Sequence, residues 1–210
     1  MVFLTVKLCE PLKVLVEDFK EIETEYALVG YSDGKEVIIP ALLKLLVVSK
    51  KNKGIALQGE VFPVDGFEEL TEKFKTFVLE MGFVGLFDID FYKSGGVIYF
   101  CEMNLRFGGS GYAVTRMGVN LPAMMVKSFM GDSISEIPKS ISGRAVYVND
   151  RMCMEDFGNG FISARALRRF RKDADISFVF DADDCEPEKR YRYQFRRQII
   201  IWMIKRLVRC

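Results

Sequence analysis

The chain has 210 residues, 50% of them hydrophobic and 28% charged, with 30 Lys+Arg against 29 Asp+Glu. That length buries a substantial core in one large domain or two small ones, and a formal charge of +1 gives no global reason to expect a nucleic-acid partner. The sequence contains no histidine, which excludes Ser-His-Asp and Cys-His nucleophiles, the helical zinc pair of metalloproteases and every imidazole proton shuttle.

Lys13–Phe19 reads as a short apolar strand ending in acids. A second strand covers about Glu25–Tyr31, and Ser32-Asp33-Gly34-Lys35 is an Asp-Gly hairpin signal leading into Glu36–Ile39. Ala41–Val48 is a continuous apolar run of ambiguous type, followed by the polar stretch Ser49–Gly54. Phe67, Leu70, Phe74, Phe77/Val78 and Met81 repeat at helical spacing, predicting a helix over Phe67–Met81 with Asp65 as its cap and Gly82 as its left-handed stop. Phe83–Phe91 and Val97–Met103 read as two strands around Ser94-Gly95-Gly96. Asn120-Leu121-Pro122 opens a second long helix that Gly131 closes. Beyond it come a strand at Arg144–Asn149, a helix at about Ser163–Lys172, a strand at Ile176–Phe180 and a terminal helix from about Pro187. Helices segregated around a mostly antiparallel sheet make the expected class α+β.

Five cysteines, odd in number and without a C-x-x-C pair, argue against a disulfide framework and a structural zinc site, so the expected compartment is the reducing cytoplasm. The longest apolar runs, near Leu45–Val48 and Ile199–Ile204, are far shorter than the ~20 residues of a spanning helix. The first residues lack the cationic start and cleavage site of a signal peptide.

The stretch Gly85–Gly111 carries the chemistry. Asp88 and Asp90 alternate with Phe87, Ile89 and Phe91, so both acids share one face of their strand; Glu102 and Asn104 share a face of the next. An odd-numbered hairpin loop would bring those two faces together, and an even one would turn them apart. Converging, they form an all-oxygen site suited to a hard cation such as magnesium, which shares its remaining positions with phosphates. Like charges on adjacent strands otherwise cost stability. Arg106 offers a fork to phosphate or carboxylate, and Gly108-Gly109-Ser110-Gly111 lets backbone approach an anion. Cys101, alternating with Glu102, is expected on the apolar side of its strand, in the core.

The string GLFDIDF at 85–91 followed by YFCEMNLRFGGS at 99–110 resembles the metal-binding C-terminal half of the ATP-grasp superfamily. Within it the likeness is to carboxylate–amine ligases and carbamoyl-phosphate-synthase large-chain-like members. The resemblance implies that Asp90, with Asp88 as a near second, and the E-x-N pair Glu102 and Asn104 hold Mg2+ (or Mn2+) bridging the phosphates of ATP. It gives Arg106 the phosphate or acyl-phosphate contact, and Gly109 and Ser110 a contact to the acceptor substrate. Upstream, Val14–Phe19 looks like the hinge meeting the nucleotide, with Glu17 and Phe19 at adenine and Glu23 or Glu25 at the ribose. The implied chemistry is activation of a small carboxylate by ATP to an acyl phosphate, which an amine then attacks. Residues 1–149 correspond to the C-terminal lobe and 150–210 to an extension. The first lobe, with its lysines and glycine-rich loop, is expected from another chain, and a homo-oligomer is a separate assembly left open. A non-catalytic remnant or interaction module and a magnesium-dependent phosphohydrolase are the alternatives.

Pro187–Cys210 holds eight Lys/Arg and one acid. As a helix it lines up Phe195, Ile199, Trp202 and Met203, a stripe that packs on its own domain in preference to a membrane surface. Arg165–Lys172 is a second basic cluster, expected as a solvated helix face with Leu167 and Phe170 turned inward, and not as a nucleic-acid contact.

Overall fold

A computed structural model describes residues 19–181 and 184–208. The strand expected from Lys13, together with Glu17, lies outside the described residues, as do Cys9, Cys210 and the side chains of Trp202 and Met203. Among the described residues eight strands form one sheet: β1 (Thr24–Ser32), β2 (Val37–Ile38), β3 (Leu42–Val48), β4 (Ala56–Phe62), β5 (Gly85–Ser94), β6 (Val97–Asn104), β7 (Ala145–Val148) and β8 (Ile176–Ser177). Six helices among the same described residues accompany them: α1 (Glu68–Glu80), α2 (Gly111–Arg116), α3 (Leu121–Met130), α4 (Asp150–Gly158), α5 (Ala164–Lys172) and α6 (Glu186–Val208). The strand order is β6-β5-β1-β3-β4-β7-β8 with β2 hanging on β1, and every pairing except β7 with β8 is antiparallel. The α+β expectation holds.

Both faces of the sheet are covered, which explains why its central strands are apolar without strict alternation. One face carries Ala27, Val29, Tyr31 and Leu43 against Val114, Leu121 and Met124 of α2 and α3. The other carries Leu28, Leu42, Phe87, Ile89 and Phe91 against Phe74 and Val78 of α1. The ambiguous run Ala41–Val48 resolves as β3 for that reason: Leu42 and Leu43 each find a core on opposite sides. A third core joins Leu57 and Val148 to Cys153 and Phe157 of α4, Leu167 and Phe170 of α5, and Tyr191 of α6.

Three sequence expectations change. Helix α1 begins at Glu68 behind Phe67, which makes no side-chain cap bond, and Asp65 does not cap it. Its apolar stripe is only partly used, because Phe74 and Val78 are buried while Phe77 and Met81 are exposed. The strand expected at Ile176–Phe180 stops at Ser177: the Phe178 amide is shared between the Val148 carbonyl (3.2 Å) and Asp150 (3.1 Å), and the Val179 and Phe180 amides turn back to the Ser177 hydroxyl (3.3 and 3.1 Å). Asn120 caps α3 through the Ala123 amide (3.0 Å), and Gly131 ends it at φ 79°, as expected.

Candidate metal and nucleotide site

The β5–β6 hairpin turns on Gly95 and Gly96, both at positive φ (57° and 79°), with Ser94 paired to Val97. A two-residue loop is even, and continued regularly it would oppose Asp90 to Cys101 and turn Glu102 to the other face. The ladder is not regular. Phe91 pairs with Phe100 but Asp90 pairs with Glu102, so Cys101 is the extra residue of a β-bulge. Beyond the bulge Asp88 faces Asn104. The bulge restores the parity that the loop had broken and sets four oxygen-bearing side chains on one face. It also overturns the expected burial of Cys101, which is exposed on an edge strand.

Asp88 and Asp90 lie opposite Val29 and Ala27 of β1, on the face that meets α2 and α3. Asp88 is 7% exposed, and its Oδ1 is buried without a hydrogen-bond partner. Burial, reinforced by the Asp90 charge, pushes its carboxyl up to about 7 against the pull of Arg106. Burial and the Glu102 charge push Asp90 up to about 6. Arg106 offsets only part of this crowding, so the two carboxyls stay raised and would gain from an added positive charge. Asn104 donates its amide to Glu102 Oε1 (3.1 Å), while Arg106 approaches Asn104 Oδ1 at 3.5 Å and the Phe107 carbonyl at 3.4 Å. The Asn104 oxygen thus stays on the Arg106 side of the cluster.

The donor set fits a hard divalent cation by its chemistry, with carboxylate and amide oxygens and no nitrogen or sulfur ligand. Among the described residues no three acidic, cysteine or histidine side chains already converge to ligand distances. Asn104 and water would therefore complete any coordination by Asp90, Glu102 and Asp88.

Gly108 shapes this pole. A Cβ there would lie 2.5 Å from Asp88 Oδ2 and 2.6 Å from its Cγ, so the backbone rests directly on the carboxylate. Gly108→Ala is expected to displace the Asp88 side chain and weaken manganese binding by about tenfold or more, the scale seen when groups supporting metal ligands are disturbed. Isothermal titration of the variant checks this, and unchanged affinity would show that Asp88 takes no part.

The acids occupy one end of a cleft of about 630 Å³ whose lining brings together Asp88, Asp90, Glu102, Asn104, Arg106, Gly109 and Ser110. Its opposite wall carries Lys53 and Gly54 from the β3–β4 loop and Asn149 and Arg151 from the start of α4. Helix α4 fixes that wall: Asp156, fully buried, accepts from the Ser49 hydroxyl (2.7 Å) and the Lys50 amide (2.9 Å), and Glu155 pairs with Lys51 at 3.2 Å. Asp150 accepts from the Ser177 hydroxyl (2.7 Å) and pairs with Arg171 (3.1 Å), holding Phe178 where it stacks on Tyr147 at 5.3 Å. The Tyr147 hydroxyl is buried facing Ser110 without a well-formed hydrogen bond, and burial raises its pKa.

The residues expected at the nucleotide base and ribose do not all gather here. Phe19 is exposed, and Glu23 accepts the Gly95 amide (2.6 Å), pinning the hairpin turn to the chain entering β1. Glu25 lies on the Ala27 side of β1, where its charge acts on Asp90 and burial raises its own pKa. Sequence reading missed Lys53, Asn149, Arg151 and Tyr147, which only the tertiary fold delivers to the cleft. Helix α4 had left one signal, Asn149, whose side chain caps it through the Met152 amide (3.3 Å).

No family model matches the chain. Over 135 residues, 62% of this chain, it is 25% identical to the carbamoyl phosphate synthase large chain of Gemmatimonas aurantiaca, of which it spans 12%. N5-carboxyaminoimidazole synthetase from Staphylococcus aureus superposes with a TM-score of 0.53 at 19% identity, covering 69% of this chain and 40% of that one. The same enzyme complexed with ADP gives 0.51, covering 63% and 36%. Biotin carboxylase from Campylobacter jejuni, in its β,γ-ATP complex, gives 0.52 at 18% identity, covering 62% and 30%. The chain therefore carries the fold of these ATP-grasp enzymes over about two thirds of its own length, and it spans less than half the length of each.

Proposed function

We propose that this chain binds a magnesium–nucleotide complex, ATP in its working state, as one lobe of a carboxylate–amine ligase. The observation that carries the reading is the bulged hairpin. A residue inserted at Cys101 is what opposes Asp90 to Glu102 and Asp88 to Asn104, and the resulting acidic cluster leaves a buried carboxylate oxygen unsatisfied. Asp90, Glu102 and Asn104, with Asp88 behind them, would hold the ion, whose chemistry is to neutralise charge on the nucleotide phosphates.

Arg106, exposed at the mouth of the cluster, is placed to bind a phosphoryl or acyl-phosphate oxygen with its guanidinium. Gly109 and Ser110 line the same cleft, where the carboxylate or amine substrate would sit. Glu25, with Glu23, Phe19 and Glu17, is the candidate set for adenine and ribose. Exclusion of water from the reacting phosphate needs a second wall over the cleft. We assign that wall to an ATP-grasp N-terminal lobe, and the compartment to the cytoplasm.

Manganese titration of the purified chain, with and without ADP, tests the reading against an Asp90→Ala, Glu102→Ala double variant. Loss of affinity by about a hundredfold is expected, since first ligands matter at least as much as the groups behind them. Equal affinity in the two proteins overturns it. Phosphate release from ATP that needs no carboxylate or amine acceptor would move the assignment to a phosphohydrolase.

A further inference from the structure

Helix α6 carries two apolar stripes. The inner one, Tyr191, Phe195 and Ile199, packs on α4 and α5 in the third core, as expected for Phe195 and Ile199 of the stripe. The outer one was not anticipated. Tyr193, Ile200 and Ile204 are 70%, 54% and 53% exposed, and steps of seven and four residues stack them along one helix face. At 100° per residue, Arg196 and Arg192 flank that stripe on one side and Arg197 and Arg190 on the other. Arg192 pairs with Glu188 at 3.0 Å, whereas Arg190, Arg196 and Arg197 form no ion pair among the described residues. The two charged rows therefore face outward around an apolar strip.

We infer that the outer face of α6 docks on an anionic lipid bilayer surface, lying in the interface plane. An apolar strip with a tyrosine and flanking arginines matches an interfacial helix. Its isoleucines enter the acyl boundary while the guanidinium groups stay among phosphate headgroups on their flexible stems. Charge complementarity selects the occupant: residues 187–210 hold eight Lys/Arg against one acid, and each basic residue near an anionic leaflet adds attraction. A second copy seated on the same strip would oppose arginine rows to arginine rows. Spanning is not implied, because no helix among the described residues is long and apolar enough to cross a membrane. The inner stripe keeps α6 attached to its domain, so docking would hold the cleft-bearing lobe at the surface. This inference stands independently of the nucleotide reading.

The test is co-sedimentation of the full chain with large unilamellar vesicles of phosphatidylcholine alone and with about 30% phosphatidylserine, a content that gives the negative surface potential of an anionic leaflet. Binding is expected to the anionic vesicles only, weakened by high salt. It should fall about tenfold or more in Ile200→Glu, Ile204→Glu, and similarly in Arg196→Glu, Arg197→Glu, since both apolar burial and charge contribute. Circular dichroism and thermal melting confirm that each variant stays folded. Should the isoleucine pair unfold the domain, the arginine pair alone decides. No binding to anionic vesicles, equal binding to neutral ones, or a chain dimer that Ile200→Glu dissociates would each overturn the inference.

Discussion

In chelator, the protein is expected to lose stability as pH rises from 5 to 8, by about 3 kcal/mol, and millimolar manganese should return most of that loss at pH 8. The sign follows from the acids of the cleft. Asp88 is raised from 3.8 to about 7 in the folded state by burial and by Asp90. The native protein therefore holds a proton that the unfolded chain releases, and stability falls with pH wherever that holds. The loss starts near the unfolded value, about 4, and is complete once pH exceeds about 7. At ~1.4 kcal/mol per tenfold change in proton affinity, Asp88 alone contributes up to about 4 kcal/mol, and its coupling to Asp90 prevents simple addition.

The absence of histidine keeps this window clean, since no imidazole titrates between pH 5 and 8. Acids held low by partners, such as Glu155 beside Lys51, act in the opposite sense but finish titrating below pH 5. Asp150 and Glu25 are also raised by burial and add to the effect. The double variant Asp88→Asn, Asp90→Asn isolates the cleft's share. Urea denaturation should find it more stable than the parent at pH 8, nearly indifferent to manganese, and flatter in pH. A parent equally stable at pH 5 and pH 8 in chelator would show that the cluster carries no uncompensated charge. The metal adds stability by mass action, ~2.7 kcal/mol at a hundredfold excess over its Kd.

This trade of stability for binding explains what could be read from the chain and what could not. The alternation in Phe87–Phe91 placed Asp88 and Asp90 together because strand periodicity is local. Whether Glu102 and Asn104 joined them depended on hairpin parity, and parity is set jointly by the loop and any bulge. Ser94-Gly95-Gly96 marked the turn but left its parity open, and nothing in Phe100-Cys101-Glu102 announced the bulge. Reading Cys101 as core was the same error seen from the other side, since simple alternation assumes an unbroken ladder. The second wall of the cleft was beyond local rules altogether. Lys53 and Arg151 stand almost a hundred residues apart in sequence, and they meet one cleft because buried Asp156 ties the β3–β4 loop to α4. Long helices with clear caps, such as α3, were legible because their signals lie within one or two turns.

Deleting Cys101 should leave metal binding nearly intact, while deleting Met103 should abolish it. A deletion inside a strand ordinarily flips every residue beyond it to the wrong face. Here Cys101 is the surplus residue of a two-for-one pairing. Without it, Phe100 still opposes Phe91, Glu102 still opposes Asp90 and Asn104 still opposes Asp88, now in a regular ladder. Edge-strand position and exposure mean that no core contact of the Cys101 side chain is lost. Manganese affinity within about threefold of the parent is expected, as for a change that spares the ligands. Removing Met103 keeps the bulge and Glu102 but moves Asn104 into the position of a residue that packs against the α1 side of the sheet. The amide then leaves the cluster, Arg106 shifts with it, and the second core loses a partly buried methionine, at a cost of about 2 kcal/mol or more. Titration calorimetry with urea melts on both deletions separates the two effects. If the Cys101 deletion loses the metal while remaining folded, the bulge is shaping the site itself and not merely correcting its register.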